Sequence, residues 1–202
     1  MFAGTIGMIA LTAASPASAQ PDLAPKLVTI ADFPGPGWES FDKGGPIGGR
    51  DDRDEPTDPP GCAFSVPANL TDAVGIWAFN TDTTSNVLVS LGYSDGTVLT
   101  QTRDWIQRCK TINLVGDKAS GTATVHPLVL PAEVVNDGAA YAVSASMTFD
   151  SGNPVSLELT TYLVQIGNIG IAVTGMGDTT YPVDRRTLDL MLIRQIAKVT
   201  RR

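Results

Sequence analysis

The run AAYAVSASMTFD, residues 139–150, decides how the chain folds. Tyr141, Val143, Ala145, Met147 and Phe149 alternate with Ala142, Ser144, Ser146 and Thr148, the period-two pattern of a strand with one buried face and one wetter face. Two further runs follow, VSLELTTYLVQIGN from 155 and IGIAVTGMG from 169, set apart by the turn sequences DSGNP and IGN. Three strands joined by short turns read as an antiparallel meander. GMGD at 175–178 reads as a tight turn, since no second half of a phosphate-binding motif follows it.

Working outward, AVGIWAFN (73–80) and NVLVSLGYS (86–94) are β-branched and aromatic runs separated by the polar turn TDTTS. They read as a hairpin. Trp77 and Phe79 share one face of its first strand while Val74, Ile76 and Ala78 take the other, which predicts burial on both sides. GTATVHPLVL (121–130) is a strand that Pro127 places at an edge or brings to an end. In DGTVLTQTRDWIQRC the period changes. Val98, Thr102, Trp105, Ile106 and Cys109 fall on one face of a helix. Near the C-terminus, Asp184 is an N-cap for a second helix whose stripe is Leu188, Met191, Leu192, Gln195, Ile196 and Val199, apolar but for Gln195. This helix is expected to lie across the meander. Residues 184–202 hold six basic side chains against two acidic ones, either complementing the negative helix end or forming an anion or membrane-surface patch. The fold class is therefore α+β: an antiparallel sheet of about 5–6 strands with helices near 97–110 and 184–199.

The first residues, MFAGTIGMIALTAASPASAQ, run apolar from Phe2 to Ala14 and close on Ala17-Ser18-Ala19, the pattern of a secretory signal cleaved after Ala19. The apolar run is too short for a stable membrane span, which needs roughly 20 residues. No Lys or Arg precedes Lys26, so the basic segment such signals carry is missing and the true translation start is left open. Residues 20–60 are rich in Pro, Gly and Asp and read as an arm laid over a single domain at 61–202. Trp38 within it either tacks the arm to the domain or lines a groove. The formal charge of −7 argues against nucleic acid as a partner. A hydrophobic content of 43% fits a folded domain.

Cys62 and Cys109 are the only cysteines. In an exported chain two such residues are most simply one disulfide, closing a loop of roughly 48 residues worth about 4 kcal/mol on the chain-entropy model. Free thiols and zinc are the alternatives. Zinc would need carboxylates beside these two sulfurs and His126, the single histidine. A catalytic thiol would want exposure and an electropositive neighbour, whereas Cys109 lies on the buried stripe beside Trp105. The acidic run Asp51, Asp52, Asp54, Glu55 and Asp58 departs from the calcium-loop spacing. No hydrolase elbow, zinc-binding HExxH, phosphate loop or dinucleotide fingerprint occurs, so neither catalytic residues nor a cofactor or metal are assigned. His126 with a serine and an acid is the remaining enzymatic reading. Asn69-Leu70-Thr71 matches a glycosylation acceptor, a reading with little force for the bacterial source expected.

An export signal, DFPGPGWE near the mature start, the cysteine of PPGCA, an apolar hairpin, RDWIQRC on a helix and a late meander with a closing helix together resemble exported actinobacterial proteins of the PknH-type extracellular sensor-domain family. The resemblance covers about residues 28–200. It implies an antiparallel sheet with packed helices around a cleft, held by disulfides and binding a ligand; it carries over no catalytic residues. This chain has one possible disulfide where the family has two, and no lipid-anchoring cysteine. The expectation is an exported, non-enzymatic binding or sensor-like domain at the cell envelope, its partner an unknown small molecule or envelope component. A secreted serine hydrolase using His126, and a structural envelope protein presenting a large apolar patch, are the alternatives.

Overall fold

The computed structural model describes residues 21–41, 45–46, 57–62, 70–115, 119–149 and 152–201. The proposed signal segment, Asp51, Asp52, Asp54, Glu55 and Asn69 lie outside them. Two single-turn 3-10 helices, Ala24–Lys26 and Ile30–Asp32, lead into β1 (Trp38–Ser40), β2 (Gly45–Pro46) and β3 (Thr57–Asp58). The long elements follow: β4 (Thr71–Asn80), β5 (Asn86–Tyr93), α1 (Thr97–Arg108), β6 (Thr111–Val115), β7 (Ala119–Leu128), β8 (Gly138–Phe149), β9 (Pro154–Ile166), β10 (Ile169–Gly177) and α2 (Arg185–Thr200). The strands form one antiparallel sheet in the order β1-β4-β5-β10-β9-β8-β7-β6-β3, with β2 also paired to β4.

The meander and hairpin stand as expected, and β10 joins them by pairing with β5. The sheet is wider than the 5–6 strands read from the sequence, because nine strands lie on its main path. The additional ones have little pattern of their own. Only Cys109 and Lys110 separate β6 from α1, with no Gly, Pro or Asn to mark a turn, and β1 and β3 are three and two residues long, defined by their partners. Pro127 sits on β7 opposite Tyr141 of β8, beyond the last β6 pair at Thr111–Thr124. No neighbour there asks for the missing N–H.

Each helix covers one face, α2 over β10 and β9 and α1 over β7, β8 and β9. α2 and the arm seal the face carrying Val74, Ile76, Val89, Leu91, Tyr162 and Ile171. α1 seals the other face over β7, β8 and β9, packing Val98, Trp105 and Ile106 against Ile112, Val125 and Val143. Alternation decides membership: on β10, Ile171 and Val173 belong to the first core and Ala172 to the second. Tyr162 is 1% exposed beneath α2, and burial followed by the neighbouring Asp189 carboxylate raises its phenol above the usual value.

Residues 21–41 enter the first core through Leu23, Leu27, Val28 and Phe33. Trp38 tacks this segment down by packing on the same core and pairing with Asn80 of β4, while its ring lies 4.8 Å from that of Phe33 and its indole N–H donates to the Pro34 carbonyl at 2.8 Å. Gln195, the polar exception in the α2 stripe, is fully buried; its Oε1 accepts from the Val28 N–H at 2.9 Å and its Nε2 donates to the Lys26 carbonyl at 2.8 Å. The basic end of α2 is partly explained in the same way. Lys198 donates to the Asp32 carboxylate at 2.7 Å, Arg194 donates to the Asp32 carbonyl, and Lys26 reaches the Val199 carbonyl at 3.2 Å. Asp184 caps α2, accepting from the Arg186 N–H and the Thr187 hydroxyl.

Burial raises the Asp32 carboxyl, but hydrogen bonds from Lys198 and from the Thr29 N–H and hydroxyl outweigh it, so its pKa falls below the ordinary value. A depressed folded pKa stabilises the fold above the unfolded value of about 3.9, and that stability is lost as pH falls through the lower folded value. Urea midpoints measured from about pH 5 down to about pH 2 are expected to fall less steeply in Lys198→Met than in the parent. Identical slopes would show that the pair contributes nothing.

Candidate functional site

Because α1 docks over β7–β9, the same face is not capped by it at the β4–β5–β10 end. Two cross-strand rows surface there: Trp77, Leu88, Thr174 and Thr161, then Phe79, Asn86, Met176 and Leu159. Trp77 is 40% exposed and its neighbours in both rows are half-buried. The two-sided burial expected of β4 therefore holds for Val74, Ile76 and Ala78 and fails for Trp77, since no helix lies over its ring.

Three aromatic side chains give this end its relief. Phe41, 66% exposed, stands edge-on to Trp77 with ring centres 6.0 Å apart and lies against Phe79 at 4.7 Å. Tyr181, 51% exposed, faces them from the loop between β10 and α2. One Asp178 carboxylate oxygen accepts from the Thr180 and Tyr181 N–H groups, both at 2.7 Å, while the Asp178 N–H donates to the Tyr181 carbonyl at 2.9 Å. The loop folds back so closely that a Cβ at Gly177 would meet the Tyr181 carbonyl oxygen at 2.4 Å. The turn read at GMGD therefore lies later than expected: Gly175, Met176 and Gly177 are the last residues of β10, and the chain reverses at residues 178–181, the turn that carries Tyr181.

Between Phe41 and Trp77 on one side and Tyr181 on the other lies an open groove of about 440 Å³, floored by Met176 and Leu157 and edged by Asn86, Thr84 and Ser156. The side-chain polar groups of Trp77, Tyr181 and Ser156 hydrogen-bond to no described residue. Asp178 is the one charged residue in the lining. Among the described residues the groove therefore combines aromatic planes with donors and acceptors not engaged by one another, and its described lining holds no cation. Truncating Trp77 to Ala is expected to cost about 2–3 kcal/mol of folding stability, the transfer of a partly buried ring plus its aromatic contacts, measured by urea denaturation. A loss of about 5 kcal/mol, the upper range for a fully buried tryptophan, would make Trp77 a core residue and the groove incidental.

The sulfur pair is resolved as a disulfide: Cys62 and Cys109 are bonded, their Cα atoms 5.6 Å apart, and both are fully buried beside Trp105. Neither sulfur is a nucleophile or metal ligand. His126 is exposed on β7 opposite Ala142, and its side chain hydrogen-bonds to no described residue, so among the described residues no serine and acid are assembled around it. The wetter face of β7 and β8, with Thr122, Ser144, Ser146 and Thr148, is exposed to solvent among the described residues. Asp58 lies on β3, paired with Asn113. Phe41 and Tyr181 escaped sequence reasoning; the only signal for either was an aromatic residue in a segment without periodicity.

No family model matches the sequence, and no curated protein does. Among solved structures, the extracellular domain of PknH from Mycobacterium tuberculosis is similar in fold, with a TM-score of 0.55 at 10% identity over 87% of this chain and 94% of that one. The Rv0999 ortholog of Mycobacterium smegmatis, an uncharacterised protein, is similar with a TM-score of 0.52 at 17% identity, over 82% and 90%. At these identities the likeness is one of fold, and in fold the chain is PknH-like. Among the described residues no helix is long and apolar enough to cross a membrane.

Proposed function

We propose that this chain is an exported, non-enzymatic binding domain of the sensor type acting at the bacterial cell envelope, and that its ligand seats in the groove between Trp77 and Tyr181. The observation that carries the reading is the placement of exposed aromatic side chains, with polar groups that bond to no described residue, on a sheet face that α1 leaves uncapped. Solvent-exposed rings cost hydrophobic free energy without contributing to the core, so their clustering marks a binding surface. The buried disulfide supports life in an oxidising compartment, and the PknH-like fold supports the sensor-type reading.

The test is a titration of the isotopically labelled protein with a soluble extract of actinobacterial cell envelopes, followed through the three indole N–H resonances. The Trp77 signal is expected to move while that of Trp105, 4% exposed in the second core, stays in place. Movement confined to residues of the Ser/Thr face of β7 and β8 would put the site elsewhere and end this reading.

A further inference from the structure

We propose that the groove binds a neutral oligosaccharide, with one pyranose ring laid on Trp77 and its hydroxyls meeting Asn86, Ser156 and Tyr181. The inference rests on the groove being the binding site and goes on to name what it takes. Charge narrows the choice first. Asp178 is the one ionic group in the lining, and one of its oxygens is already occupied by two backbone N–H donors. Among the described lining residues a phosphate, nucleotide or acidic headgroup would find no cation and one carboxylate opposed to it.

Shape narrows it further. An acyl chain is best held where water is excluded on all sides, whereas this groove is open to solvent along its length and its rings stand 40–66% exposed. A sugar ring suits such a surface because its two aspects differ. Its C–H face gains contact with an aromatic plane, and its perimeter of hydroxyls exchanges bonds to water for bonds to protein at little net cost. The available partners match that perimeter in kind: the Trp77 indole N–H donates, the Tyr181 and Ser156 hydroxyls donate or accept, and none of the three is engaged with a described residue. The Asn86 amide has only one contact, to the Thr84 carbonyl at 3.5 Å, and retains its carbonyl oxygen and a second N–H. The volume of about 440 Å³ suits a short oligosaccharide.

The full chain is titrated with neutral trisaccharides (maltotriose, cellotriose, mannotriose and triacetylchitotriose), read by calorimetry and by the Trp77 indole resonance. At least one is expected to bind and to move that resonance alone among the three indoles. Trp77→Ala is expected to weaken binding about tenfold or more, and Trp77→Phe, which keeps a ring, by less. An unchanged Trp105 indole resonance certifies that each variant is folded. If the envelope extract moves the Trp77 signal and no trisaccharide does, the saccharide assignment falls while the groove remains the site. If neither moves it, both readings fall. Saccharide binding that survives Trp77→Ala at full strength overturns the assignment to this groove.

Discussion

Replacing Cys62 and Cys109 together by alanine lowers the free energy of unfolding by about 4 kcal/mol, a large share of what holds a domain of this size together. The bond joins residues 47 apart in sequence, and on the chain-entropy model freeing a loop of that length restores most of the lost entropy to the unfolded chain. The native side adds to the effect. Both sulfurs are at 0% exposure within the core formed by α1, β6, β7 and β8, and truncation leaves space that neighbours such as Trp105 and Ile112 fill only in part. Urea denaturation of the double variant, compared with the parent under oxidising and reducing conditions, checks this. The reduced parent should approach the variant, and a difference below about 1 kcal/mol between variant and oxidised parent would refute the estimate.

The second large effect belongs to the other core. Gln195→Ala is expected to cost about 4 kcal/mol, because the Val28 N–H and the Lys26 carbonyl lose their partner at once and a cavity opens beneath α2. Gln195→Met keeps most of the volume and removes only the hydrogen bonds, so it should cost about 2–3 kcal/mol. Both variants should also release residues 21–41 to limited proteolysis before the sheet itself is cut, since Gln195 joins that segment to α2 from within the core. Protection equal to the parent's would show that Leu23, Leu27 and Phe33 hold the segment without it.

Much of this architecture was legible because it is periodic. Tyr141, Val143 and Ala145 alternate over twelve residues, and Val98, Thr102 and Trp105 recur at helical spacing, so β8 and α1 announce themselves locally. β6 does not: five residues directly after a helix carry too little pattern, and pairing to Ala123 and Thr122 makes them a strand. The core role of Leu23, Leu27, Val28 and Phe33 was hidden for a related reason, since they sit among prolines and glycines and acquire a common direction only against α2. The groove was the least legible part. Alternation places Trp77 and Phe79 on one face of β4, yet whether that face is covered depends on where α1 docks, which no local pattern encodes. Phe41, Trp77, Asn86, Leu157, Met176 and Tyr181 come from five separate parts of the chain, and only the strand order makes them neighbours.

The alternation along β10 turns that strand into a shared partition. Thr174 and Met176 look toward the aromatic side, while a Cβ at the intervening Gly175 would strike Leu188 of the C-terminal helix at 2.9 Å. Whatever rests on Met176 therefore lies a single backbone's thickness from α2. The absence of a side chain at Gly175 is what lets Leu188 approach that backbone so closely from behind.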